Sequence, residues 1–294
     1  MSFYKADIEF KNVSFSYDNG LSWSKSEIPH TTTTKGEHGF VSISIGNKKH
    51  DLVWLDGREM LMGHGKNDYG QMNLYHREFT NNGELGPEYL IDPKVCECCP
   101  TSSVSFKDTL VVAYRDRSNE EIRDIYIARK TGDIWEPSYS VHNDGWKIAG
   151  CPVNGPMLSI RSNQIAIAWY TAANDEAKVN VAFSDDLGKT FSNPIRVDNG
   201  MPLGRVDLDW INDSEVLVSW IESSELSSNI VVRKIKNDLT IRDAMVIAEV
   251  SKGRISGYPQ METHKDQILF SWTEIGTETS VASKWIPLSN IVNN

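Results

Sequence analysis

Five short apolar runs punctuate this chain, and each ends on an aromatic followed by a carboxylate or hydroxyl. They are Leu52-Val53-Trp54-Leu55-Asp56, Val111-Val112-Ala113-Tyr114-Arg115-Asp116, Ile167-Ala168-Trp169-Tyr170-Thr171, Leu217-Val218-Ser219-Trp220-Ile221-Glu222 and Leu269-Phe270-Ser271-Trp272-Thr273-Glu274. From Trp54 the aromatic markers step to Tyr114, Trp169, Trp220 and Trp272, at intervals of 60, 55, 51 and 52 residues. Apolar runs of this length, bounded by turn residues such as Asn81-Asn82-Gly83, read as strands. A recurrence near fifty residues reads as one four-stranded sheet per repeat, which is the period of a β-propeller. Residues 39–92 supply the strands Phe40–Ile45, Asp51–Leu55, Met72–Phe79 and Glu88–Ile91, and residues 99–142, 151–198 and 204–249 repeat the scheme. The last repeat offers three strands, Tyr258–Glu262, Gln267–Trp272 and Val281–Ile286, whereas residues 6–30 offer only an outer pair, Ile8–Ser16 and Ser26–Pro29. No helical period of useful length interrupts them. The expected architecture is all-β, antiparallel four-stranded blades in a single propeller domain over residues 1–294. Either the N-terminal strands close it on the C-terminal blade, giving five blades, or a leading blade and a half is missing.

Composition narrows the class only slightly. With 39% apolar and 24% charged residues the chain is an ordinary globular sequence. Its net charge of −10 argues against nucleic acid, since phosphate binding wants a basic stripe. No apolar run approaches the ~20 residues of a membrane span. Met1-Ser2-Phe3-Tyr4-Lys5 lacks a signal-peptide core, so the expectation is a cytoplasmic protein or one whose leader has been removed.

Two segments, Ser16-Tyr17-Asp18-Asn19-Gly20-Leu21-Ser22-Trp23 and Ser184-Asp185-Asp186-Leu187-Gly188-Lys189-Thr190-Phe191, fit the pattern S-x-D-x-G-x-[ST]-[WF]. The pattern is a self-contained turn: Asp accepts backbone N–H bonds, Gly takes positive φ, the hydroxyl ties the turn and the aromatic packs between sheets. Recurring at the turn between the third and fourth strands, it resembles the BNR or Asp-box repeat of the sialidase-like propellers. Together with Cys96-Glu97-Cys98-Cys99-Pro100-Thr101 and Cys151-Pro152-Val153-Asn154-Gly155-Pro156, the chain is similar to a bacterial branch labelled exo-α-sialidase-like. The resemblance implies a six-bladed propeller and a glycan-directed function, with hydrolysis of terminal sialic-acid-like sugars as the implied reaction. The turns themselves say nothing of substrate.

In such a blade the start of the first strand and the end of the second share one rim, near the central channel. That rim would carry His38, Cys99, Cys151, Arg205 and Tyr258 from the first strands. From the second strands it would carry Asp56, Asp116, Thr171, Glu222 and Glu274, with Arg58, Arg115 and Arg117 beside them. A sialidase site needs an arginine clamp for the substrate carboxylate, a tyrosine nucleophile sharpened by a glutamate, and a carboxylic acid for the leaving group. The resemblance assigns Arg58, Arg117 and Arg205 to the clamp, Tyr258 with Glu222 or Glu274 to the nucleophile, and Asp56 or Asp116 to the acid. The Arg-Ile-Pro segment usual near the start of that family does not occur here. The bland alternative is that such carboxylates bond turn amides and the arginines serve structural ion pairs. Trp146, in His142-Asn143-Asp144-Gly145-Trp146, is either a platform for a sugar face or a packed aromatic. The run Arg115–Asp124 reads most simply as a solvated loop that keeps Arg117 and Arg123 available.

Cysteine placement opens a second class of function. Cys99-Pro100 and Cys151-Pro152 are one repeat, 52 residues, apart, with Cys96 and Cys98 just before them. Four sulfurs at one rim suit Cu(I) or Zn, and would make a non-catalytic propeller that binds a transition metal or a partner there. A Cys99–Cys151 disulfide and plain packing as small apolar residues are the competing readings. His38 and His64 are loop histidines able to join such a site. No cofactor is otherwise required.

Overall fold

The computed structural model describes residues 12–34, 36–46, 49–60, 70–225, 227–251 and 256–292. It contains five antiparallel sheets in chain order. The first comprises β1 (His38–Ile45), β2 (Lys49–Asp56), β3 (Asn73–Thr80) and β4 (Leu85–Asp92). The second holds β5 (Ser102–Phe106), β6 (Thr109–Arg115), β7 (Ile125–Thr131) and β8 (Ile134–Trp135), with β9 (Tyr139–Ser140) pairing the far end of β7. The third holds β10 (Met157–Arg161), β11 (Gln164–Thr171), β12 (Lys178–Ser184) and β13 (Ile195–Arg196). The fourth is built from β14 (Pro202–Trp210), β15 (Glu215–Ser223), β16 (Ser228–Lys236) and β17 (Ile241–Val250). The fifth has β18 (Gln260–His264), β19 (Gln267–Ile275) and β20 (Thr279–Pro287), followed by a one-turn helix α1 (Leu288–Val292).

Within each sheet the strands run in simple up-and-down order. The first strands contact one another in succession, β1 on β5, β5 on β10, β10 on β14 and β14 on β18, as expected around a common axis. The sheets bury their faces against each other. Val53, Leu55 and Leu74 of the first sheet meet Val112 and Tyr114 of the second, and Val111 and Ile127 of the second meet Ile165 and Trp169 of the third. The third and fourth sheets join at Val181, Phe183, Trp210 and Trp220, and the fourth and fifth at Leu217, Ile230 and Phe270. Second strands are covered on both faces, which is why they read as unbroken apolar runs rather than alternating ones; all seven residues of β6 are buried.

Residues 1–11, which the five-blade closure would use, lie outside the described residues. The segment that follows them lies on the first sheet: Phe15 packs 5.5 Å from Phe79, Arg77 donates to the Pro29 carbonyl, and His30 stacks 4.0 Å from His38. Of the expected outer pair, Val13 and Glu27 form a single bridge, and residues 8–11 lie outside the described residues. Both S-x-D-x-G turns close alike. Asp18 accepts the Ser22 amide at 2.8 Å and Asp186 the Thr190 amide at 3.0 Å, and Ser16 and Ser184 each accept from the turn glycine. Among the described residues no helix is long and apolar enough to cross a membrane.

Candidate functional site

The mouth of the propeller is organised by Arg115, the last residue of β6, which is 2% exposed. Its Nε donates to the Asn154 carbonyl (2.9 Å), Nη1 to that of Arg123 (2.6 Å) and Nη2 to that of Tyr170 (2.7 Å). The guanidinium also covers the Trp146 ring at 4.8 Å. One side chain thus ties the second sheet to the loop that opens the third. On the opposite wall, Arg205 lies 4.6 Å over the Tyr258 ring, and the Tyr258 hydroxyl donates to the Val153 carbonyl at 2.6 Å. Arg205 is aimed there by a bulge at Gly204 and Arg205, both at positive φ (80° and 59°), where β14 slips register against β15. Only glycine fits at 204, since a Cβ would stand 2.2 Å from the Asn154 side chain that accepts the Arg205 amide.

Beside Arg115, a turn brings three sulfurs together. Cys96 Sγ lies 3.8 Å from that of Cys98 and 3.3 Å from that of Cys99, and all three fall within 4.8 Å of one another. The Cys96 amide donates to the Arg115 carbonyl at 3.0 Å, and Arg123 Nη1 reaches Cys96 Sγ at 3.2 Å. Hydrogen bonding with Cys98 and Cys99 holds the Cys96 thiol well below its ordinary range, while its partners shift upward, Cys98 through its sulfur contacts and Cys99 chiefly through burial. Cys151 does not join them. It is exposed on the neighbouring cleft, and no disulfide joins it to Cys99.

The residues assigned to sugar hydrolysis are scattered among local partners. Asp56 is fully buried, accepting from Trp54 Nε1 (2.8 Å), from Arg58 Nη2 (2.6 Å) and Nε (2.9 Å), and facing His38 Nε2 at 3.3 Å. Burial alone would raise its pKa, but these donors, Arg58 foremost, hold it well below the carboxylate range. It stays ionised, the opposite of a proton donor. Arg58 is closed off by Asp56 and Glu88 and stacks 4.0 Å from the Tyr75 ring. Arg117 bonds Glu97 and Glu121. Glu222 accepts Trp220 Nε1 and the Asn199 and Met201 amides, so the carboxylate two residues after the marker tryptophan serves that tryptophan, as it does at Trp54 and Asp56. Glu274 is exposed and lies outside the mouth cleft. Burial and the nearby Cys99 and Cys98 push the Tyr258 phenol upward despite Arg205, which opposes activation as a nucleophile. Trp146 is 6% exposed, its face under Arg115 and its edge toward Tyr170, and is no open sugar platform. Only Asp116 keeps acid character: burial, with Asp92 and Asp124 nearby, pushes it up to about 6. His64 lies outside the described residues.

Between these walls runs a cleft of about 800 Å³. Trp146, Lys147, Cys151, Asn154, Tyr170 and Arg205 line it. In the sequence Asn154 and Tyr170 stood only inside longer segments, Cys151–Pro156 and the third apolar run, with no role of their own. Their signal was positional, since both flank residues already placed at the mouth.

Searches against family models and against curated proteins return no match. Solved structures do match. The Hadza microbial sialidase Hz136 superposes with a TM-score of 0.59 at 15% identity, covering 95% of this chain and 60% of that one. The NanB sialidase from Streptococcus pneumoniae gives 0.55 at 13%, covering 95% and 63%. The Trypanosoma rangeli sialidase in complex with sialic acid gives 0.55 at 10%, covering 99% and 51%. The chain therefore adopts a sialidase-like propeller fold and spans about three fifths of the length of the first two.

Proposed function

We propose that this protein is a ligand-binding propeller whose mouth cleft receives a small, anionic, sugar-like molecule without hydrolysing it. The cleft itself carries the reading. It has the volume of a small-molecule site, and Lys147, Arg205, Asn154 and Tyr170 supply the few convergent cationic, polar and aromatic groups such a site uses. A neighbour in fold is described in complex with sialic acid, an acidic sugar, which supports the ligand class. Hydrolysis is disfavoured because its parts are engaged elsewhere. Arg58 and Arg117 already hold carboxylates, Tyr258 donates to a carbonyl, and among the described residues no glutamate is paired with that tyrosine.

Calorimetric titration with N-acetylneuraminic acid, beside neutral N-acetylglucosamine, tests this directly. The acid binds and the neutral sugar does not. Lys147→Ala, an exposed change, weakens binding about 2- to 5-fold, the worth of one screened charge. Absence of acid binding at millimolar concentration overturns the ligand class. Turnover of a fluorogenic sialoside that disappears in Tyr258→Phe overturns the non-hydrolytic reading.

A further inference from the structure

We propose that Cys96, Cys98 and Cys99 form a three-thiolate site for a thiophilic d10 cation, Cu(I) in the first place, independent of the cleft ligand. The geometry is already close to a coordination sphere. A metal–sulfur bond near 2.3 Å places three sulfurs about 4 Å apart around a trigonal centre. Here the separations from Cys96 are 3.3 and 3.8 Å, with all three inside 4.8 Å, so small side-chain rotations suffice. Among the described residues no His, Asp or Glu joins this group as a fourth donor. Three soft ligands satisfy Cu(I), whereas Zn(II) prefers four.

The surroundings favour a charged cluster over packed thiols. Arg123 points Nη1 at Cys96 Sγ, and the positive charge of Arg115 acts on both Cys96 and Cys99. Nearby, Arg117, Arg123, Glu97 and Glu121 bond as a charge-neutral quartet. Arg115 remains outside it: among the described residues its hydrogen bonds all go to carbonyls. A buried cation with no carboxylate partner is costly, and a metal–thiolate cluster of net negative charge is the counter-ion this position lacks. The turn is also braced. Val95 bridges Asp116 before it, and after it Pro100 sits so tightly on Gly155 that a Cβ there would lie 2.1 Å from the Pro100 carbonyl oxygen. Preorganised ligands of this kind suit a resident ion.

The test uses full-length, reduced protein titrated with Cu(I) against a chromogenic Cu(I) chelator. One Cu(I) binds per chain, and copper K-edge absorption reports three sulfurs at about 2.2–2.3 Å. Cys98→Ser, the least buried of the three, loses more than about a hundredfold in affinity, given that outer-shell partners alone are worth about 10–100-fold. Cys151→Ser binds as the native protein does. Equal affinity in Cys98→Ser, or four titratable thiols with no Cu(I) uptake, overturns the site. Loss of two thiols without metal assigns the cluster to a disulfide instead. Uptake of Zn(II) with none of Cu(I) overturns the choice of ion.

Discussion

The first and second blades present equivalent rim positions to the mouth and resolve their charge in opposite ways. In the first, Asp56, Arg58, Glu88 and His38 form a closed set: the cation lies between two carboxylates, and the buried carboxylate takes every available donor. In the second, Arg115 stands one residue before the equivalent acid and turns inward to carbonyls, while Asp116 is held by the Arg117 amide and sits near Asp92 and Asp124. The same repeat element therefore makes an inert clamp in one blade and an unbalanced, chemically available rim in the next. Function in a repeat fold gathers where local neutralisation fails, and the cysteine turn and the cleft both border Arg115.

The largest expected effect breaks the closed set. Asp56→Asn leaves Arg58 and His38 without their buried partner and costs about 3–5 kcal/mol in urea unfolding, the usual consequence of halving a buried ion pair. The sign with pH follows from its depressed pKa. The native state holds fewer protons than the unfolded chain, so this contribution is complete above the unfolded value near 4 and is lost as pH falls below it. An unchanged acid limb in Asp56→Asn contradicts the clamp. Next, Gly155→Ala sharpens the contrast from the second blade. Its Cβ collides with the Pro100 backbone, costing about 1–3 kcal/mol by overpacking and displacing the cysteine turn. Cu(I) affinity should fall with stability; a Gly155→Ala protein of native stability would show that Pro100 does not brace the turn.

Much of this fold was legible because a propeller repeats one energetic unit. Doubly covered second strands produce apolar runs, and the runs gave the interval. The rim was legible for the same reason, since equivalent sequence positions share an end of the blade. What the repeat could not convey was side-chain partnership. Asp56 and Glu222 looked like a ring of available acids, yet each binds the indole two residues earlier, a contact hidden by strand geometry until both side chains are placed on one face. Arg115 appeared merely adjacent to an acid, and nothing in its neighbours Tyr114 and Asp116 announced three carbonyl partners drawn from other segments of the chain. Among the cysteines, Cys96, Cys98 and Cys99 lie together on one turn. Cys151, at the matching repeat position, is carried to the surface of the cleft by the loop before β10.

The smallest effect tests whether the second blade's acid is truly unbalanced. Asp116 has a folded pKa of about 6, raised above its unfolded value near 4, so the native state binds the proton more tightly. Its ionisation therefore opposes folding. The stabilising contribution of the protonated form is present below pH 4 and disappears as pH rises through 6, the reverse of Asp56. Because the carboxyl is part-exposed, solvent screening trims the effect to about 1–2 kcal/mol. Asp116→Asn should match the native protein's unfolding free energy near pH 4 and exceed it by that amount at pH 7. Curves that stay parallel between pH 4 and 7 would mean that Asp116 is neutralised by a partner after all, and that the two blades differ less than their side chains suggest.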